Sequence, residues 1–237
     1  MLMVKHPRPG RLILTHIFGK SLDKGIAKSE ALAHLAPEGL LGVHTNLLLS
    51  IPPEIGRALA VGEPAPAELT EQEKAAYEQE RAFFTMGRGY FLEQATRPQT
   101  IGQSLADSPV GLAAWMIDHD ARSYEQIAHV FAGQPEGDLT RDDILDNITL
   151  YWLTNTGASA ARLYWENARI VYKGEVSVPA AFTVFPDEIF RAPRSWVERT
   201  YRNLIYYNEV DKGGHFAAWQ EPELFSTEVR AAFRSLR

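Results

Sequence analysis

Gly213-Gly214-His215-Phe216 sets an imidazole directly after two glycines. Glycines let the backbone turn sharply and carry the next side chain over a site. A histidine so presented can take and give protons near neutral pH. Pro186-Asp187-Glu188 forms a second polar loop upstream. A carboxylate that orients a histidine and balances its charge is the usual partner of an activated nucleophile. On pattern alone, Glu188 and His215 fit an acidic loop and a surface histidine equally well. A third signal is Ser21-Leu22-Asp23-Lys24-Gly25. A strained turn that presents a nucleophile between a strand and a helix needs little bulk two residues to either side, and Ser21 and Gly25 meet that need around Asp23. On pattern alone an aspartate in such a turn is more often an ordinary helix N-cap.

The elements around these loops are those an open α/β sheet supplies. Residues 11–19 (RLILTHIFG) and 40–49 (LLGVHTNLLL) predict buried strands, the second stopped by Pro52-Pro53. Residues 26–35 carry Ala, Leu and Glu at helical spacing, so the first fifty residues predict one βαβ unit of a parallel sheet. Residues 53–175 predict a helical insertion. Thr70-Glu71-Gln72-Glu73 and Thr140-Arg141-Asp142-Asp143 resemble capping boxes, and Ser108-Pro109 opens a further helix. The sheet pattern resumes at 176–185 (VSVPAAFTVF) and at NLIYYNEV, each followed by one of the two C-terminal polar loops. Sites in open α/β sheets form beyond the carboxyl ends of the strands, where Glu188 and His215 would stand. A final helix, ELFSTEVRAAFRSL, closes the chain. The expected division is 1–52 as a partial core, 53–175 as a helical cap and 176–237 as the C-terminal part of the core.

Composition narrows the chemistry. The 237 residues carry a formal net charge of −6, with 45% hydrophobic and 23% charged residues. An acidic chain argues against nucleic-acid binding. The absence of cysteine excludes disulfides, thiolate metal sites and a cysteine nucleophile. No apolar run reaches the roughly 18 residues of a membrane span, and the basic start lacks the apolar stretch of a secretory signal, so a cytoplasmic protein is expected. The other six histidines (His6, His16, His34, His44, His119, His129) show no metal-ligand spacing and read as surface or core residues. Aromatic residues of the insertion such as Tyr90 and Tyr164 read, on pattern alone, as packing groups.

Several segments resemble a known family. DSPVGLAAWMIDHD (107–120), LTRDDILDNITLYWLTNT (139–156), ARLYWEN (161–167), VFPDE (184–188), APRSW (192–196) and DKGGHFAAWQEPELF (211–225) are similar to the epoxide hydrolases of the microsomal and juvenile-hormone type. The match runs from about Leu35 to the end. The resemblance implies an α/β-hydrolase fold with a partial parallel sheet and a helical cap. It implies hydrolysis of an epoxide to a vicinal diol through an aspartyl ester, without cofactor or metal. Carried over by motif, His215 matches the base, Glu188 its acidic partner, and Tyr164 in RLYWEN and Tyr90 in GYFLEQATRP the two tyrosines that hold and protonate the epoxide oxygen. The implied partners are a small hydrophobic epoxide and water, with a homo-oligomer left open.

Departures gather at the N-terminus. The family's Gly-Gly-Asp-Trp-Gly nucleophile motif aligns with Ser21-Leu22-Asp23-Lys24-Gly25, which makes Asp23 the candidate nucleophile. A His-Gly-Trp-Pro loop is missing, as are the family's first strands, so a truncated or rearranged chain with about four strands, an exposed edge, poor solubility and very weak turnover is expected. Two rival functions are a catalytically impaired fragment or binding remnant, and another α/β-hydrolase such as a haloalkane dehalogenase. The absence of G-x-S-x-G argues against an esterase.

Overall fold

A computed structural model describes residues 2–5, 12–15, 31–47, 51–168 and 175–236. Five strands form one sheet in the order β1-β2-β3-β4-β5: β1 (Leu2–Lys5), β2 (Leu12–Thr15), β3 (Leu40–Thr45), β4 (Ala180–Val184) and β5 (Leu204–Glu209). Strands β2 to β5 run parallel, and β1 is antiparallel to β2. The sheet therefore has one strand more than expected, because the basic, proline-containing start holds β1. Strand β4 is shorter than the apolar run 176–185 suggests. Pro179 has no N–H to offer a ladder; its carbonyl instead accepts from Val43 N–H at 2.9 Å, and Val176 makes only an isolated bridge to Tyr201.

Residues 31–35, between β2 and β3, are helical, as the expected βαβ unit requires; the other described helices fall between β3 and β4 and around β5. The first group is α1 (Pro53–Ala60), α2 (Glu71–Ala82) with a π-helical extension at Phe83–Gly87, α3 (Gly89–Thr96), α4 (Pro98–Asp107), α5 (Pro109–Ile117), α6 (Ala121–Phe131), α7 (Arg141–Leu153) and α8 (Gly157–Asn167). Then come α9 (Arg194–Thr200), α10 (Ala217–Gln220) and α11 (Pro222–Ala232). Both capping boxes form, Thr70 with Glu73 and Thr140 with Asp143, and Ser108 Oγ accepts from Gly111 N–H. Pro53 does more than end a strand: it opens α1, where its missing N–H is no loss.

Four hydrophobic clusters lie among the described residues, the smallest being Phe185, Ala217 and Phe225 under the histidine loop. One face of the sheet packs Val43 and Phe182 against Ile55 and Leu59 of α1, Tyr77 of α2 and Trp196 of α9. The other packs Ala181 against Ala232 and Phe233 at the end of α11. Two β-bulges serve that second face. The register slips by one residue at Leu41 and at Ile205. A bulge sends two consecutive side chains to one side, and Ile205 and Tyr206 accordingly both pack toward α11. A separate core of Leu105, Leu112, Met116, Ile127, Ile144 and Ile148 lies within the α4–α7 helices. Helix α8 crosses α4 at very short range, since a Cβ on Gly102 would stand 2.7 Å from Ala158 Cβ.

Candidate active site

Three parallel strands deliver polar groups from their carboxyl ends. Asn46 follows β3, Glu188 follows β4 and His215 follows β5. The two C-terminal loops are stitched together by a bridge between Asp187 and Gly214, with Asp187 N–H donating to Gly213 O at 3.1 Å. Gly213 has φ +94, and a Cβ there would meet Phe185 Cδ1 at 2.8 Å, so conformation and space both demand glycine.

Within that frame His215 Nδ1 lies 2.6 Å from Glu188 Oε1. The same oxygen accepts from Ile189 N–H at 2.8 Å, and Oε2 accepts from the Asn46 amide at 2.9 Å. Asn46 also donates to the His215 carbonyl at 3.4 Å. Glu188 and His215 are each only 2% exposed. A buried carboxylate is tolerated only when its oxygens are satisfied, and here backbone, amide and imidazole do so. Asn46 was invisible as a site residue in an apolar run; its one signal is being the first polar residue beyond a strand with small-residue breaks.

The helices tie the loops down. Gln79 of α2 donates to the Glu188 carbonyl at 2.9 Å and accepts from Arg191 N–H at 3.2 Å. Gln220 of α10 accepts from Gly214 N–H at 2.9 Å and donates to Gln126 of α6 at 2.6 Å. Arg122 of α6 pairs with Asp187 at 3.2 Å.

Tyr90 on α3 and Tyr164 on α8 meet edge to face, ring centroids 6.2 Å apart, and line one pocket with Trp115, His119 and Tyr151. His119 joins this pocket to the dyad. Its ring stacks on His215 at 4.8 Å and 21°, and its centroid is 4.7 Å from that of Tyr90. The structure thus gathers four of the five expected site residues: Glu188, His215, Tyr90 and Tyr164. Asp23 lies outside the described residues. His119, expected to be an ordinary surface or core residue, stands at the centre of the group. Its placement is tertiary, so sequence spacing carried no sign of it.

No family model matches this chain. A Stigmatella aurantiaca protein that carries an epoxide hydrolase name is 46% identical over 228 residues, 96% of this chain and 49% of that protein. Epoxide hydrolase 1 of Sus scrofa is 35% identical over 84% of this chain and 46% of its own length. The solved juvenile hormone epoxide hydrolase of the silkworm Bombyx mori superposes with a TM-score of 0.74 at 27% identity, covering 96% of this chain and 56% of that one. The chain is a relative of the epoxide hydrolases. It has their α/β-hydrolase fold; the Aspergillus niger epoxide hydrolase superposes with a TM-score of 0.72 at 27% identity. The chain spans about half the length of the curated relatives it matches. Among the described residues no helix is long and apolar enough to cross a membrane.

Proposed function

We propose that the chain acts as an epoxide hydrolase, turning a small hydrophobic epoxide and water into a vicinal diol. The observation that carries this reading is the buried Glu188–His215 pair joined through His119 to a pocket with two tyrosines. In this reading 53–175 is the cap, with Tyr90 and Tyr164 brought over the strand ends of 1–52 and 176–237.

The steps balance in two halves. The Asp23 carboxylate attacks an epoxide carbon, the C–O bond breaks, and the alkoxide takes a proton from a Tyr90 or Tyr164 hydroxyl. An alkoxide leaves poorly unless a positioned donor neutralises it. His215 then removes a proton from water through Nε2 while Glu188 holds Nδ1. The hydroxide adds to the ester carbonyl, the Asp23 carboxylate is released with the diol, and the imidazolium proton returns to the tyrosinate. Splitting the hydrolysis into two displacements lowers each barrier.

The test is diol formation from styrene oxide by the chain and by Asp23→Ala, His215→Ala and Tyr90→Phe/Tyr164→Phe variants. Turnover that each variant reduces by at least about 100-fold is expected. Equal turnover in His215→Ala would remove the base. Binding of the epoxide without diol from any form would leave a binding remnant in place of an enzyme. Halide release from a haloalkane, with no diol from the epoxide, would point to the dehalogenase reading.

A further inference from the structure

His119 enters none of the steps above, yet it touches both ends of them. It sits between α5 and α6 and is fixed from two sides. The next residue, Asp120, is the N-cap of α6: Oδ1 accepts from Ser123 N–H at 2.9 Å, and Oδ2 lies 2.8 Å from His119 Nδ1. Burial works against a charge on Asp120, but the hydrogen bonds from His119 and Ser123 outweigh it and hold the carboxyl well below the usual range. One carboxylate therefore both caps a helix and grips an imidazole.

A hydrogen bond at Nδ1 alone lets the His215 ring swing about that bond. Its two faces must be held by something else. Phe216 stands edge-on to the ring at 4.8 Å and 75°, and His119 lies across it nearly parallel. Phe216 also contacts His119, centroids 5.5 Å apart. His119 also contacts Tyr90, ring centroids 4.7 Å apart and tilted by 46°.

We infer that His119, gripped by Asp120, is a positioning residue that fixes the ring plane of His215 and its distance from Tyr90. This rests on reading His215 as the base. The physical reason is that a base displaced by about 1 Å loses about 100-fold in rate. Holding it by the face of a neighbouring ring, itself anchored at a helix start, locks the one rotation that Glu188 leaves open. The same ring sets the spacing to the tyrosine that must be reprotonated at the end of each cycle.

The experiment compares the unmodified chain with His119→Ala, His119→Phe and Asp120→Asn. Phenylalanine keeps a flat face and discards the nitrogens. Asparagine keeps the helix cap and weakens the grip. Each is assayed for kcat and KM on styrene oxide, and the exchange rate of the His215 Nδ1–H is followed by proton NMR. We expect kcat to fall about 10- to 100-fold in His119→Ala, with KM moved far less, and to recover in part in His119→Phe, which keeps the flat face but loses the grip. Asp120→Asn, which keeps the ring and only weakens its anchor, should lose less than His119→Phe. The Nδ1–H should exchange faster in the same order. An unchanged kcat and unchanged exchange in His119→Ala overturn the inference. So does a His119→Phe variant as impaired as His119→Ala, because the stacked face would then contribute nothing. If the unmodified chain makes no diol, the hydrolase reading fails separately, and the order of exchange rates alone decides whether His119 holds the ring.

Discussion

At the residue scale the Glu188 carboxylate has both oxygens satisfied, and the contrast lies on α2 beside the amide that holds its backbone. Gln79 is bonded at both ends, whereas its neighbour Glu80, only 1% exposed, has its Oε2 without a hydrogen-bond partner. Burial pushes the Glu80 carboxyl up from 4.5 to about 7. The folded chain thus binds this proton more tightly than the unfolded one. The stability that proton confers is complete below the unfolded value of 4.5 and is lost as pH rises through about 7. At about 1.4 kcal/mol per tenfold, the loss amounts to about 3 kcal/mol. Glu80→Gln removes the titration, so urea unfolding should show the variant gaining on the unmodified chain by about 3 kcal/mol between pH 5 and pH 8. An equal difference at the two pH values would mean that Glu80 is solvated in the folded state. Legibility at this scale was uneven. Glu188 and His215 stand in glycine- or proline-marked loops after apolar strands, which is local information. Asn46 and His119 acquire their roles only from what lies across the fold.

At the element scale, α6 is clamped to the histidine loop by two amides. Gln126 and Gln220 are both buried, and Gln220 passes the bond on to Gly214 N–H. Removing Gln126 strands a buried amide donor, which costs about 1–3 kcal/mol. Gln126→Ala and Gln220→Ala should each destabilise the chain, and the double variant should fall short of their sum by at least about 0.5 kcal/mol in a denaturant cycle. Additive losses would show that the two amides stabilise independently. Within 53–175 the helices that sequence disclosed are those with a side-chain cap in place at Thr70, Ser108 and Thr140. The starts of α1, α3, α4 and α8 have no side-chain cap bond, so neither a cap signal nor a long polar break marked them. Helix α6 was there to be read, because Asp120 is an ordinary N-cap. Strand β1 could not be read: its pairing with β2 is a backbone fact, set among basic residues and prolines.

At the scale of the whole molecule, the question is whether the sheet and the α4–α8 helices stand or fall together. Behind the sheet, Glu228 of α11 collects three donors on one oxygen: Tyr206 at 2.9 Å, Asn208 at 3.0 Å and Thr183 at 3.3 Å. Thr183 in turn meets His44 Nε2 at 3.0 Å, so the network spans β3, β4 and β5. Burial and then Glu228 push the Tyr206 hydroxyl up to about 12, which keeps it a donor throughout the ordinary pH range. Glu228→Ala leaves the buried Thr183 and the half-buried Tyr206 and Asn208 without their acceptor and should lower stability by about 2 kcal/mol. Glu228→Gln, which keeps an acceptor oxygen, should lose less. The lesion lies on the face of the sheet away from α1 and α2, yet the helices are bound to the strand ends through Gln126–Gln220, Arg122–Asp187 and Gln79–Glu188. Ties of that kind make two cores open as one unit, because neither can leave without stranding the other's buried polar groups. Hydrogen exchange in Glu228→Ala should therefore show the slowest amides of α5 and α7 losing protection by the same factor as those of β4. If α7 keeps the protection it has in the unmodified chain while β4 loses its own, the helical core is an independent cooperative unit, and the amide clamps position the histidine loop without coupling the two cores.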